Sequence, residues 1–220
     1  VDNMKIALSV SPEEFEQQMS YLKSEGYTTI SPKDLMDFME FDKELPDKPL
    51  LITFDDGYVD NYLNAYPVMK KYGFTGTIFI VTDFISSDER FLTWDQVKEL
   101  KENGFYIGSH TMQHIPMTDV NDQILRNELL GSAAALDYHL GKDDYFIAYP
   151  TGAYNSHVEK IVKECGYRAA FTIQYGNVNK ASNPYALERI PIFKSDKTFR
   201  SFCLRVNLTS FFQRMGLIRS

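Results

Sequence analysis

Tryptophan and cysteine are scarce in this chain, one Trp and two Cys among 220 residues. Two cysteines build no disulfide framework. Cys165 stands before Gly166 and Cys203 after Phe202, each in a helical pattern, so both read as buried free thiols rather than ligands. No apolar run reaches membrane-span length, and no signal peptide precedes the first helix. Positive charge is in deficit: the formal net charge is −7, which argues against a nucleic-acid partner. The exception is the stretch from Lys194 onward, where six Lys or Arg face the single acid Asp196 and read as solvated helix charge. The chain opens Val1-Asp2-Asn3, as a piece of a longer protein would, so the missing leader leaves its location open. What is plentiful is aromatic, with 16 Phe and 14 Tyr, enough to fill a core and still line a cleft with rings.

Strand and helix patterns alternate from end to end. Ser11-Pro12-Glu13-Glu14 signals a helix start, and Gly26 stops that helix. Ser31-Pro32 opens a second. Apolar or β-branched runs predict strands over 27–30, 50–54, 75–81, 105–108, 145–149, 168–172 and 187–192. The 50–54 run reads as buried on both faces. Helices are expected over 60–72, 119–140 and 156–165, at Thr93-Trp94-Asp95-Gln96 up to Gly104, and from Thr198 through Phe199, Phe202, Cys203 and Val206. Seven strands separated mostly by helices imply an α/β fold with a parallel sheet in one domain, 1–220. The pattern alone does not choose between a barrel and an open sheet.

Three polar clusters each follow a strand: Thr53-Phe54-Asp55-Asp56-Gly57, Ser109-His110-Thr111-Met112-Gln113-His114, and Tyr149-Pro150-Thr151-Gly152. Carboxyl ends of parallel strands face one way, so segments distant in sequence converge there. His110 and His114, at i and i+4, suit two imidazoles on one metal. Asp55 and Asp56 are adjacent acids whose side chains point in different directions, so one can complete a His-His-Asp set while the other accepts a proton. Two acids at a strand end need a partner, and a divalent cation supplies one. Which acid does which is not readable from the spacing. His139 and His157 read as solvated, and Trp94 as a sugar platform or a packing residue.

The Thr53–Gly57 and Ser109–His114 motifs, in that order and after strands, resemble the first two motifs of the polysaccharide deacetylases, carbohydrate esterase family 4 with its NodB homology domain. The resemblance runs over about residues 10–195 and is nearest to the branch that de-N-acetylates the poly-N-acetylglucosamine of biofilms. It implies a distorted (β/α) barrel of about seven units. It also implies Asp55 as catalytic base and Asp56, His110 and His114 as ligands of Zn2+, or of Co2+, Ni2+ or Fe2+. Thr151 is implied as a backbone donor to the oxyanion, with Tyr149, Pro150 and Gly152 of the same motif toward substrate, where Trp94, on its residue type alone, is a further candidate. The implied substrate is an N-acetylated polysaccharide of a biofilm or cell wall, met outside the cell or on its surface.

Two departures stand out. Ala148 occupies the place of an Arg that orients the base in the family, and Arg189 is a candidate substitute. No histidine follows His157, where the family carries a late general acid. In the biofilm branch that histidine lies on a strand before the first helix, so the barrel is expected to be incomplete at its N-terminus, without its general acid. Rival readings are an acetylxylan-type O-deacetylase, whose alcohol leaving group needs less acid help, and a catalytically weak polymer-binding barrel.

Overall fold

The computed structural model describes residues 9–192 and 199–214. Helix α1 (Pro12–Ser24) starts with a reciprocal box, in which the Glu14 N–H donates to the Ser11 hydroxyl and the Ser11 N–H to the Glu14 carboxylate. After β1 (Thr28–Thr29), Ser31 and Asp34 repeat the device at α2 (Pro32–Phe41). Strand β2 (Pro49–Leu50) pairs with β1 in parallel. Strand β3 (Thr53–Asp56) leads through a π-turn at Asn61–Ala65 to α3 (Tyr66–Tyr72) and β4 (Thr77–Ile80). Helix α4 (Trp94–Glu102), β5 (Tyr106–Ser109), α5 (Asp122–Leu140) and β6 (Tyr145–Ala148) follow. A 3-10 turn at Pro150–Gly152 precedes α6 (Ser156–Glu164), β7 (Tyr167–Tyr175), β8 (Leu187–Arg189) and α7 (Phe199–Arg214).

Strands β3 to β8 form one parallel sheet in sequence order. Helices α3 to α6 make the crossovers that parallel pairing demands. The sheet curls far enough for one side chain to bridge its two edges. Arg189, on the last strand, donates to Thr53 and Asp55 on the first. Inside the curl Phe79 of β4 meets Phe171 of β7, ring centres 5.2 Å apart, with Phe146, Ala169 and Leu187 around them and Leu35 and Met36 of α2 packed in. Two further clusters bind the helices to the sheet's outer face. The result is the curled half-barrel of the distorted-barrel fold.

Several boundaries differ from expectation for local reasons. The 50–54 run divides, because Leu50 pairs with β1 while Thr53 onward pairs with β4. Strand β3 is an edge strand and only half-buried, not covered on both faces. The 60–72 helix is interrupted at its start, since Pro67 has no N–H to give the preceding turn and a π-turn takes the strain. Helix α5 begins at Asp122 rather than 119, because Asn121 accepts from the Ile124 N–H as its cap. At Thr93 and Gln96 both hydrogen bonds of a capping box are made. Cys165 and Cys203 are free, though partly rather than fully buried. The expectation about a strand before Ser11 and the start of the last helix at Thr198 fall outside the described residues.

Candidate metal and catalytic site

The first two polar clusters converge, and the third follows β6, whose Ala148 carbonyl meets His110. Asp56 ends β3, His110 follows β5 directly, and His114 lies four residues on. One ligand atom from each of Asp56, His110 and His114 lies within 4.8 Å of the others. Nε2 of His110 is 3.5 Å, and Nε2 of His114 3.4 Å, from Asp56 Oδ1. His110 is 2% exposed, and its Nδ1 lies 2.7 Å from the Ala148 carbonyl. A carbonyl only accepts, so Nδ1 carries a proton and Nε2 is the ring atom turned toward Asp56. Burial, then the charge of His110, pushes the His114 pKa down, which favours the neutral imidazole a metal needs. The donor set, two imidazoles and one carboxylate with one ring already oriented by a backbone carbonyl, fits a divalent cation of the zinc type.

Asp55 is held apart from this group by Arg189. The guanidinium grips it with two parallel bonds, 2.8 Å to each carboxylate oxygen, while Arg189 Nε donates to the Thr172 carbonyl. Burial pushes the Asp55 carboxyl up, but Arg189, with His110 and His114 behind it, outweighs burial and holds it below the ordinary carboxylate range. Arg189, the candidate for the arginine missing at Ala148, thus contacts Asp55 in space. It comes from the opposite edge of the curled sheet.

Backbone strain gathers at the same end. Six non-glycine residues of the described chain have positive φ, and four of them are Asp56, Thr111, His114 and Thr151. Such residues persist only where the surroundings over-determine them, and they cluster at functional sites. Thr151, at φ 56, is exposed in the turn after β6, and the neighbouring Gly152 and Ala153 N–H groups are spent on Tyr149 and Pro150 carbonyls.

Some substrate-side expectations are corrected. Tyr149 is fully buried, its hydroxyl donates to the Tyr185 carbonyl, and its ring stacks on Tyr154, so it supports the turn and does not face a polymer. Pro150 is buried as well. Gly152 stays at the surface, at φ 73, and a Cβ there would overlap Ile173. Trp94 lies on His139 with ring centres 3.8 Å apart and packs on the core, and its backbone N–H donates to the Ser86 hydroxyl. Packing, not sugar stacking, is its role among the described contacts. His157 pairs with Asp122 on the surface. Neither spare histidine joins the site.

Sequence reasoning missed Glu128. It is 6% exposed and accepts the N–H groups of Met112 and Gln113, both at 2.9 Å. A lone acid in the Leu125, Leu129, Leu136 stripe of α5 was the signal available.

The sequence pattern of the polysaccharide deacetylases matches residues 42–170. YxkH of Bacillus subtilis (strain 168), whose name places it in the same family, is 37% identical over 186 residues, 84% of this chain and 66% of that protein. The poly-beta-1,6-N-acetyl-D-glucosamine N-deacetylase of Staphylococcus aureus (strain MRSA252) is 30% identical over 211 residues, 90% of this chain and 71% of that one. The chain therefore spans about two thirds of the length of these relatives. Among solved structures, the deacetylase PplD of Streptococcus pyogenes, in complex with acetate, superposes with a TM-score of 0.81 at 31% identity, over 84% of this chain and 83% of that one. The chain belongs to the polysaccharide deacetylase family.

Proposed function

We propose that this chain is the hydrolytic domain of a metal-dependent de-N-acetylase acting on N-acetylglucosamine-containing polysaccharide outside the cell, with Asp56, His110 and His114 holding a divalent cation, zinc by donor chemistry. The observation that carries the reading is the Asp56-His110-His114 group beside an Asp55 locked by Arg189. A cation there would supply Lewis acidity toward the acetyl carbonyl and toward water. The remaining work belongs to the protein. Asp55, kept ionised by Arg189, takes the proton of the attacking water as general base. Arg189 fixes the direction of that carboxylate and prevents it from turning to join Asp56. The Thr151 N–H is assigned to the developing oxyanion, where one well-placed donor is worth about 3–4 kcal/mol. The choice of substrate leans on the Staphylococcus aureus relative, named for β-1,6-linked N-acetylglucosamine polymer. Acetate, the small product of such a reaction, is the molecule named in the PplD complex.

The test is acetate release from β-1,6-linked N-acetylglucosamine oligomers, by protein stripped with chelator and then resupplied with zinc. Release that returns with the metal is expected. Zinc-loaded protein that cleaves acetylxylan but leaves these oligomers intact would overturn the amide reading.

A further inference from the structure

Three residues on one face of α5 touch the turn that carries the two histidines. Glu128, Gly131 and Ser132 fall at i, i+3 and i+4, one above another on the helix. A single carboxylate oxygen of Glu128 receives the N–H groups of both Met112 and Gln113. The Ser132 hydroxyl lies 2.7 Å from the Ser109 hydroxyl, which in turn accepts the Thr111 N–H at 3.1 Å. Gly131 lets Met112 lie flat against the helix, where a Cβ would overlap its sulfur. Between these anchors the chain passes through Thr111 at φ 67 and His114 at φ 60. Left-handed backbone at non-glycine residues is costly and persists only where surrounding contacts enforce it. A carboxylate buried in an apolar helix face is itself costly without partners, and the partners shown for Glu128 are both N–H groups of this turn.

We propose that Glu128 is a positioning residue for the metal site: it pins the Met112–Gln113 backbone so that His110 and His114 keep their mutual geometry, with Ser132 fixing the start of the turn through Ser109. This rests on the metal-site reading given above. Its action is one of reach and hydrogen bonding rather than charge, because one oxygen serves both donors. Glutamine at this position keeps such an oxygen at the same distance, whereas aspartate keeps the charge and falls one methylene short.

The experiment measures zinc affinity of the full chain by competition with a chromophoric chelator, with the unfolding temperature of the metal-free protein recorded alongside. Glu128→Asp should weaken zinc binding about 10- to 100-fold, the range seen when a group supporting a ligand is lost, and Glu128→Gln should stay within about threefold of wild type. The inference is overturned if the aspartate variant binds zinc like wild type, or if glutamine falls as far as aspartate. Should Glu128→Asp not fold, Glu128→Gln still decides, because a tenfold loss there is incompatible with a hydrogen-bonding role. His114→Ala serves as the reference for loss of a ligand. Wild-type protein that binds no zinc would instead overturn the metal-site reading on which this inference stands.

Discussion

Each end of the curled sheet carries an arginine among carboxylates, and the two clusters are built to opposite ends. At the amino ends of the strands, Arg168 at the start of β7 bonds Asp37 and Glu40 of α2 and Asp144 before β6, and Lys33 reaches Asp144 from the side. Every acid there has a cation and ordinary backbone around it. At the carboxyl ends, Arg189 is spent on Asp55, and Asp56 is left facing two imidazoles 3.4 and 3.5 Å away with its own φ at 74. One cluster is saturated by its own side chains. The other leaves three converging ligand atoms and strained backbone to support them. The same residue types thus yield a girder in one place and a candidate reaction centre in the other, and what separates them is whether the donors are already used.

The sharpest way to break this comparison is to empty the ligand set. His114→Ala should abolish zinc retention after dialysis and remove nearly all acetate release. Asp55→Asn should keep the zinc and lower kcat by about a hundred- to ten-thousandfold, the range for a general base. Elemental analysis of both variants checks the assignment. An Asp55→Asn protein without zinc would exchange the roles given to Asp55 and Asp56.

Next in size is the exchange of the two arginines. Arg189→Met leaves Asp55 half-buried and unpaired, so kcat should fall about 10- to 100-fold while zinc still binds. Arg168→Met should act on stability alone. Arg168 is 17% exposed and two of its three acids are more than a third exposed, so the loss should lie near 1–3 kcal/mol, between surface and buried ion pairs. Urea unfolding and zinc titration of the pair decide it. An Arg168→Met protein with weakened zinc binding would show that the two ends are not independent.

How much of this was legible in the sequence follows the same division. Strand-end clusters report themselves, because catalytic side chains must be polar where the pattern has just been apolar, and so Thr53–Gly57 and Ser109–His114 stood out. The helix starts were also readable, since Ser11, Ser31 and Thr93 are local devices. What local pattern does not encode depends on closure of the sheet, and Arg189 was a candidate only through the family resemblance. That Arg189 would reach Asp55 across 134 residues requires β8 and β3 to meet, and no periodicity encodes that. Tyr149 looked like part of a binding turn, yet its neighbour Tyr154 and the Tyr185 carbonyl claim both its face and its hydroxyl. Trp94 stayed open between packing and sugar stacking for the same reason, because its partner His139 lies on a different helix.

The smallest expected effect comes from the saturated end. Asp34 accepts the Ser31 N–H at 3.0 Å and the Ser31 hydroxyl at 2.7 Å, and Lys43 lies 2.8 Å from its other oxygen while also approaching Asp37 of the Arg168 cluster. Partial burial pushes the Asp34 carboxyl up, but Lys43 and Ser31 outweigh it and set the pKa at about 2, against an ordinary 3.8. A carboxyl depressed in the folded state binds its proton more readily when unfolded. Its contribution is therefore complete above the ordinary value and disappears as pH falls through the folded one. The side chain is 37% exposed, so solvent screening limits that contribution to about 1 kcal/mol or less. Removing metal from the sample keeps acid-driven release of a cation out of the comparison. Urea unfolding of metal-free wild type and Asp34→Asn should then show a gap that is steady near pH 6 and narrows between about pH 4 and pH 2. A gap of the same size at pH 6 and pH 2.5 would mean that Asp34 titrates as it does in the unfolded chain, and that Lys43 adds nothing to this end of the molecule.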